Sequence, residues 1–143
     1  MNIDPGETVR IYFQNINGLR AANKFEDAME LFMCADGAGI SILGLAETNV
    51  PWHDQAVTSQ VRKQMCQNWE ASKMATAAAP SSTGETMYQP GGTALFIQGD
   101  WTGRILKATE DTGDMGRWCT ITIQGKNDIK LAIICAYRPV DQD

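Results

Sequence analysis

The chain has 143 residues, 43% of them hydrophobic and 20% charged, with a formal net charge of −5. That length suits one domain with a real core, and the balance is globular rather than disordered. The acidity argues against a protein that coats nucleic acid through a basic face. No apolar run approaches the roughly 18 residues that a membrane span needs. The N-terminus "MNIDPGET" carries no signal-peptide pattern, so an intracellular protein is expected. The four cysteines, Cys34, Cys66, Cys119 and Cys135, form no C-x-x-C pair. That spacing speaks against zinc, and their apolar neighbours suggest small core residues in a reducing compartment.

In chain order, "VRIYFQ" alternates Val9, Ile11 and Phe13 against Arg10, Tyr12 and Gln14, the period of a strand. Asn17-Gly18 then signals a turn. A helix is predicted next, capped by Asn23 with Glu26 in capping-box position and ended by Gly37. Phe25, Met29, Phe32 and Met33 form its expected apolar stripe. "ISILGLA" is a continuous apolar run, as in a strand covered on both faces. Strand, helix and buried strand make a βαβ unit, most simply with parallel strands.

A second helix is expected from Asp54 to about Cys66, with Val57, Val61 and Met65 on one side. "NWEASKMA" reads as a strand. Residues 76–92, dense in Ala, Ser, Thr, Pro and Gly, read as a long mobile loop or a loosely paired hairpin. "TALFIQ", "GRILKAT", "RWCTITIQ" and "IKLAIICAY" look like four further strands, the last two joined at "GKND". The pattern is α/β at the start and a β-meander afterwards.

Three polar residues stand where apolar strands end: Asn15, Glu47 and Tyr137. Strand ends are where sites form in mixed α/β proteins, because the strands are rigid and the loops are free. A carboxylate beside an amide oxygen is a hard-oxygen pair suited to Mg²⁺. On spacing alone, three solvated strand ends is the reading to prefer.

"QNINGLR", "GLAETN", "GGTALFI", "GRWCTITI" and "CAYRPV", in this order over residues 9–140, resemble the endonuclease/exonuclease/phosphatase superfamily, whose fold is deoxyribonuclease I-like. The likeness is strongest to the endonuclease domain of non-LTR retrotransposons and to AP endonucleases. The resemblance implies a four-layer α/β sandwich. Residues 1–143 would be the N-terminal part of one such domain, a fragment supplying roughly the first sheet with its helices. It implies Glu47 as the principal Mg²⁺ or Mn²⁺ carboxylate, with Asn15 helping to hold metal and phosphate. It places Asn17 in support of that site and Tyr137 against the scissile phosphate. DNA is the implied partner, and a nuclear location would follow from a retrotransposon origin.

The chain departs from the family in lacking the later G-D-x-N and S-D-H motifs, which supply a catalytic Asp, an Asn and a proton-transferring His. Asp141 and Asp143 lack that frame. His53, the single histidine, reads as a surface residue flanking a helix. Around the site, Trp52 suits stacking on a base or sugar and equally suits burial against the second helix. Arg117 and Arg20 suit either a phosphate or plain solvation.

Two readings follow. One is a metal-dependent phosphodiesterase, a DNA endonuclease before a phosphatase of the same superfamily, with no identified general base in this chain. The other is an inactive remnant or binding module. Strand side chains alternate, so a lone first sheet would expose one apolar face. Self-association through that face, or a complementing C-terminal half, is therefore expected.

Overall fold

The computed structural model describes residues 8–79, 90–113 and 115–138. Among the described residues, seven strands and two α-helices are arranged in three layers. β1 (Ile11–Asn15) and β2 (Ile42–Ala46) flank helix α1 (Ala22–Gly37), and the two strands pair in parallel, Asn15 opposite Ala46. The predicted βαβ unit is thus present. Helix α2 (Gln55–Asn68) follows, then β3 (Lys73–Ala77) and β4 (Thr93–Ile97), both antiparallel additions. The first sheet has the order β1-β2-β4-β3.

A 3₁₀ turn (Gly99–Arg104) leads to β5 (Ile105–Glu110), β6 (Trp118–Gln124) and β7 (Lys130–Ala136). These form a separate antiparallel sheet in the order β5-β6-β7. The meander is therefore real, but β4 belongs to the first sheet. The chain supplies strands to both sheets, which corrects the expectation of a first sheet alone.

Alternation along the strands sorts the core into two parts. Leu43, Leu45, Ala94 and Phe96 face the helices and meet Phe25, Ala28, Phe32, Val57, Val61 and Met65. Ile42, Leu95 and Ile97 face the other way and meet Cys119, Ile121, Ile123, Ile133 and Cys135 of the second sheet. The face expected to lie open is covered by the chain's own β5–β7. What stays uncovered is the seam at the two edge strands. All five residues of β1 are exposed, and on β7 Leu131 is 43% exposed.

Asp54 caps α2, its Oδ1 accepting from the backbone N–H of Ala56 at 2.8 Å and of Val57 at 3.3 Å. Val57, Val61 and Met65 are its buried side, as expected. Helix α1 differs from its prediction. Asn23, Lys24 and Phe25 adopt left-handed φ, and no side chain caps its start. Asn23 instead donates to Glu26 Oε2 at 2.9 Å. Phe25, Ala28, Phe32 and Ala35 are buried at helical spacing, Met29 is half-buried, and Met33 is 56% exposed.

Two further corrections concern composition-based readings. Cys34 and Cys66 are exposed, and only Cys119 and Cys135 are core residues; Phe32 and Ala35 beside the first and Met65 beside the second point inward in their place. The predicted loop 76–92 is shorter at its start, while its end agrees with β4 beginning at Thr93. Thr76 and Ala77 pair with Ala94 and Thr93, and the carbonyls of Gly91 and Gly92 accept hydrogen bonds from Asn49 and Thr48. Residues 80–89 lie outside the described part. Among the described residues no helix is long and apolar enough to cross a membrane.

Candidate active site

Parallel pairing of β1 and β2 fixes the first relation within the site. Asn15 lies opposite Ala46, and the N–H of Ile16 donates to the carbonyl of Ala46 at 3.1 Å. Asn15 and Glu47 therefore leave the same end of the sheet. Asn15 is exposed, and its Oδ1 accepts from the N–H of Asn17 at 3.1 Å. That bond makes an Asx-turn and turns the chain after β1. Asn17 itself is exposed with a left-handed φ of 48°.

Glu47 is half-buried at φ 52°, an uncommon conformation for a non-glycine residue. Its neighbours hold it there. The N–H of Leu19 donates to the carbonyl of Thr48 at 2.7 Å, and the N–H of Thr48 to the carbonyl of Gly92 at 3.2 Å. Thr48 is fully buried. The Glu47 carboxylate makes no hydrogen bond or ion pair among the described residues, so its oxygens are free to accept.

The second sheet brings up Tyr137. The thiol of Cys135 donates to the carbonyl of Leu45 at 3.3 Å, holding the end of β7 against β2. Just past that strand, the N–H of Tyr137 donates to the carbonyl of Arg117 at 3.1 Å. A cleft of about 260 Å³ opens between the sheets here, lined by Phe13, Asn15, Gly44, Ala46, Cys135 and Tyr137 among others. Asn15 and Tyr137 thus share one cleft, and Glu47 follows its wall residue Ala46.

Arg117 stands beside this group through its carbonyl bond to Tyr137, and its own N–H is held by Asp111 Oδ2 at 2.9 Å. Its Nε is buried without a hydrogen-bond partner among the described residues. Trp52 is not at the rim. It is 6% exposed, its indole N–H donates to Thr48 Oγ1 at 2.9 Å, and its ring stands edge-on to Phe96. Of its two readings, burial is the one realised, and no open ring face remains for a base or sugar. Arg20 is exposed and lies 3.7 Å from Asp27. His53 is exposed just before the Asp54 cap.

The donors suit a hard cation. Among the described residues no group of three or more His, Cys, Asp or Glu is gathered for a metal. One carboxylate and one amide remain, a set that fits Mg²⁺, which keeps several waters and takes one or two carboxylates together with substrate phosphates. The sequence reading missed Asn49 and Gly91. Asn49 Oδ1 accepts from the N–H of Gly91 at 2.8 Å. Its only sequence signal was an amide two residues after the carboxylate, and the glycine pair read as backbone freedom rather than as a close approach.

The sequence matches no family model and no curated protein. Solved structures do match. An endonuclease/exonuclease/phosphatase family protein from Leptotrichia buccalis C-1013-b superposes with a TM-score of 0.64 at 12% identity, over 94% of this chain and 57% of that one. A D. rerio TDP2 humanized by 14 mutations gives 0.55 at 15% identity, over 88% and 48%. An endonuclease/exonuclease/phosphatase from Beutenbergia cavernae DSM 12333 gives 0.54 at 9% identity, over 94% and 39%. The chain therefore spans about half the length of these structures. With the two-sheet α/β sandwich described above, the likeness shows that this chain has the endonuclease/exonuclease/phosphatase fold.

Proposed function

We propose that the chain forms the metal-holding half of a phosphodiesterase site that acts on DNA, as in the endonucleases of retrotransposons. The observation that supports this most is that Asn15 and Tyr137 line one cleft, at the end of the sheet where Glu47 follows the wall residue Ala46. Glu47 would hold Mg²⁺ or Mn²⁺, with Asn15 beside it. When bound, such an ion stabilises charge on phosphate oxygens and lowers the pKa of an attacking water. The chain's own residues would orient the phosphate: Tyr137 from the second sheet by its hydroxyl, Asn15 by its amide, Asn17 by shaping the loop, and Arg117 by its charge. None of these groups is a general base. The proposal therefore includes a complementing half-domain, or a second copy, seated on the seam between β1 and β7. A nuclear location goes with the DNA-directed reading.

The test is titration with Mg²⁺ and Mn²⁺, followed by NMR and calorimetry, on wild type and Glu47→Gln. Weak binding is expected in wild type, because one carboxylate strips few waters from Mg²⁺, and loss is expected in the variant. An equal response from both proteins removes the site. Highly purified chain alone should not nick supercoiled plasmid. Nicking that disappears in Glu47→Ala would show that another residue serves as the base. Metal binding without turnover under any complementation would favour a binding module.

A further inference from the structure

We infer that Asn49 is the positioning residue of this site: it clamps the backbone seat on which the Tyr137 hydroxyl rests. The inference starts from two hydrogen bonds to one glycine. The backbone N–H of Asn49 donates to the carbonyl of Gly91 at 2.7 Å, and the N–H of Gly91 donates to Asn49 Oδ1 at 2.8 Å. Both polar groups of Gly91 are thereby tied to a single residue, as in a strand pairing, with a side chain completing the ring. Asn49 manages this at φ 52°. Asparagine tolerates that conformation better than most residues, because its short amide bonds locally.

Gly91 in turn meets Tyr137. A Cβ added to Gly91, whose φ is 81°, would lie 1.8 Å from the tyrosine hydroxyl oxygen and 3.0 Å from Cζ. The phenol therefore rests directly on the glycine, and only a residue without a side chain fits beneath it. The free end of the Asn49 amide reaches the opposite way. Its Nδ2 lies 3.1 Å from where a Cβ on Gly18 would stand. One amide thus touches the Asn17-Gly18 loop and the Gly91 loop, two residues after Glu47. The three chain segments that carry Asn17, Glu47 and the seat of Tyr137 are joined through it.

Asn49 touches neither metal nor phosphate in this arrangement; it acts by fixing where Tyr137 sits relative to Glu47. The inference rests on the proposed role of those two residues, but its geometry can be tested apart from that role. The protein is labelled with 3-fluorotyrosine, and the ¹⁹F line of Tyr137 is assigned by Tyr137→Phe. In wild type this line should stand away from its position in urea.

Asn49→Gly keeps the backbone conformation and removes the amide, so the Tyr137 line should move toward the urea position while the other tyrosine lines stay. Asn49→Asp keeps the accepting oxygen and should restore the wild-type line. Gly91→Ala should displace the ring by contact even if Asn49→Gly fails to fold. A folded Asn49→Gly or Gly91→Ala protein with an unmoved Tyr137 line overturns the inference. Added Mn²⁺ separates this from the functional reading. Broadening of the wild-type Tyr137 line that is lost in Glu47→Gln and weakened in Asn49→Gly supports both. A wild-type line that moves with Asn49 but ignores Mn²⁺ leaves the clamp standing and removes the metal site.

Discussion

The indole N–H of Trp69 donates to the carbonyl oxygen of Phe32 at 2.9 Å, and the two rings stand edge to face with centroids 5.3 Å apart. Trp69 follows the last residue of α2 and is 1% exposed. It fastens the two helices to each other and, through Phe32, to Phe96 of β4. Trp69→Phe keeps most of the apolar volume and loses the hydrogen bond, so a cost of about 1–2 kcal/mol is expected. Trp69→Ala should cost about 3–5 kcal/mol. Urea unfolding checks this: both midpoints should fall with the slope unchanged. An unchanged midpoint in Trp69→Ala would remove the residue from the core.

A close approach across β1 and β2 gives a second expectation. The ring of Phe13 covers Gly44 so closely that a Cβ there would stand 2.2 Å from its Cδ1, with Leu95 Cδ2 at 3.3 Å on the other side. Gly44→Ala should therefore destabilise by about 1–3 kcal/mol through overpacking. Phe13 is 47% exposed, so the strain is relieved by shortening it. In Gly44→Ala with Phe13→Ala the two costs should fail to add, with a coupling of about 0.5–3 kcal/mol. Strict additivity in the double-mutant cycle would refute the contact.

How much of this was legible follows from which forces were local. Helix α2 could be read almost to its ends because Asp54 caps it and Val57, Val61 and Met65 recur at helical spacing. Most strands could be read because their patterns are unbroken; "NWEASKMA" was placed too early, since Asn68 still belongs to α2, Trp69 caps it, and β3 begins only at Lys73. The stripe of α1 was read correctly at Phe25 and Phe32 but not at Met33; its start was misread because Asn23, Lys24 and Phe25 leave the helical region, and no periodicity announces that. Assigning β5–β7 to a second sheet depends on packing between residues far apart in the chain, such as Leu45 and Cys135. At the site, Asn15, Glu47 and Tyr137 were visible as polar ends of apolar runs. Trp52 was ambiguous because its neighbour Glu47 and its anchor Thr48 suggest opposite environments. The clamp at Asn49 was invisible because its partner Gly91 is brought there by sheet pairing.

The thiols divide into two pairs. Cys34 and Cys66 are exposed, whereas Cys119 and Cys135 are buried and opposite each other in the β6–β7 register. Burial pushes the Cys119 thiol up to about 12 and that of Cys135 to about 11. At pH 8 a thiol reagent should label two cysteines in the native protein and four in denaturant. Labelling of all four at equal rates would contradict the burial.

The same burial predicts a direction for stability. The unfolded thiols lose their protons near pH 9, while the folded ones hold them to about 11 and 12. Between those values the native state binds more protons, so stability falls as pH rises. The contribution is complete below pH 9 and is lost as pH climbs through the folded values. Unfolding midpoints measured from pH 8 upward should decline, and the decline should lessen in Cys119→Ala with Cys135→Ala.

The seam makes a prediction about solution state. Ile11 is 39% exposed, Phe13 47% and Leu131 43%, and among the described residues no strand pairs with the outer edge of β1. Such an edge pairs readily with another chain unless a charge or a bulge blunts it. Sedimentation should show association that grows with concentration, and Ile11→Lys should reduce it. Wild type remaining monomeric throughout the range would show that the edge is protected.

The inter-sheet core also sets an order of events on the ribosome. One wall of that core is finished when Ile97 has been made, and the opposing wall, Cys119 to Cys135, comes only afterwards. At roughly 5–20 residues per second, the first wall waits a few seconds for its cover. During that wait Ile42, Leu95 and Ile97 lack their partners from the second sheet. Contacts so distant in sequence also close slowly once the whole chain is available. The nascent chain therefore passes through a stage in which helices and first sheet can assemble while their inner face stays wet, and that stage is where a chaperone would find it.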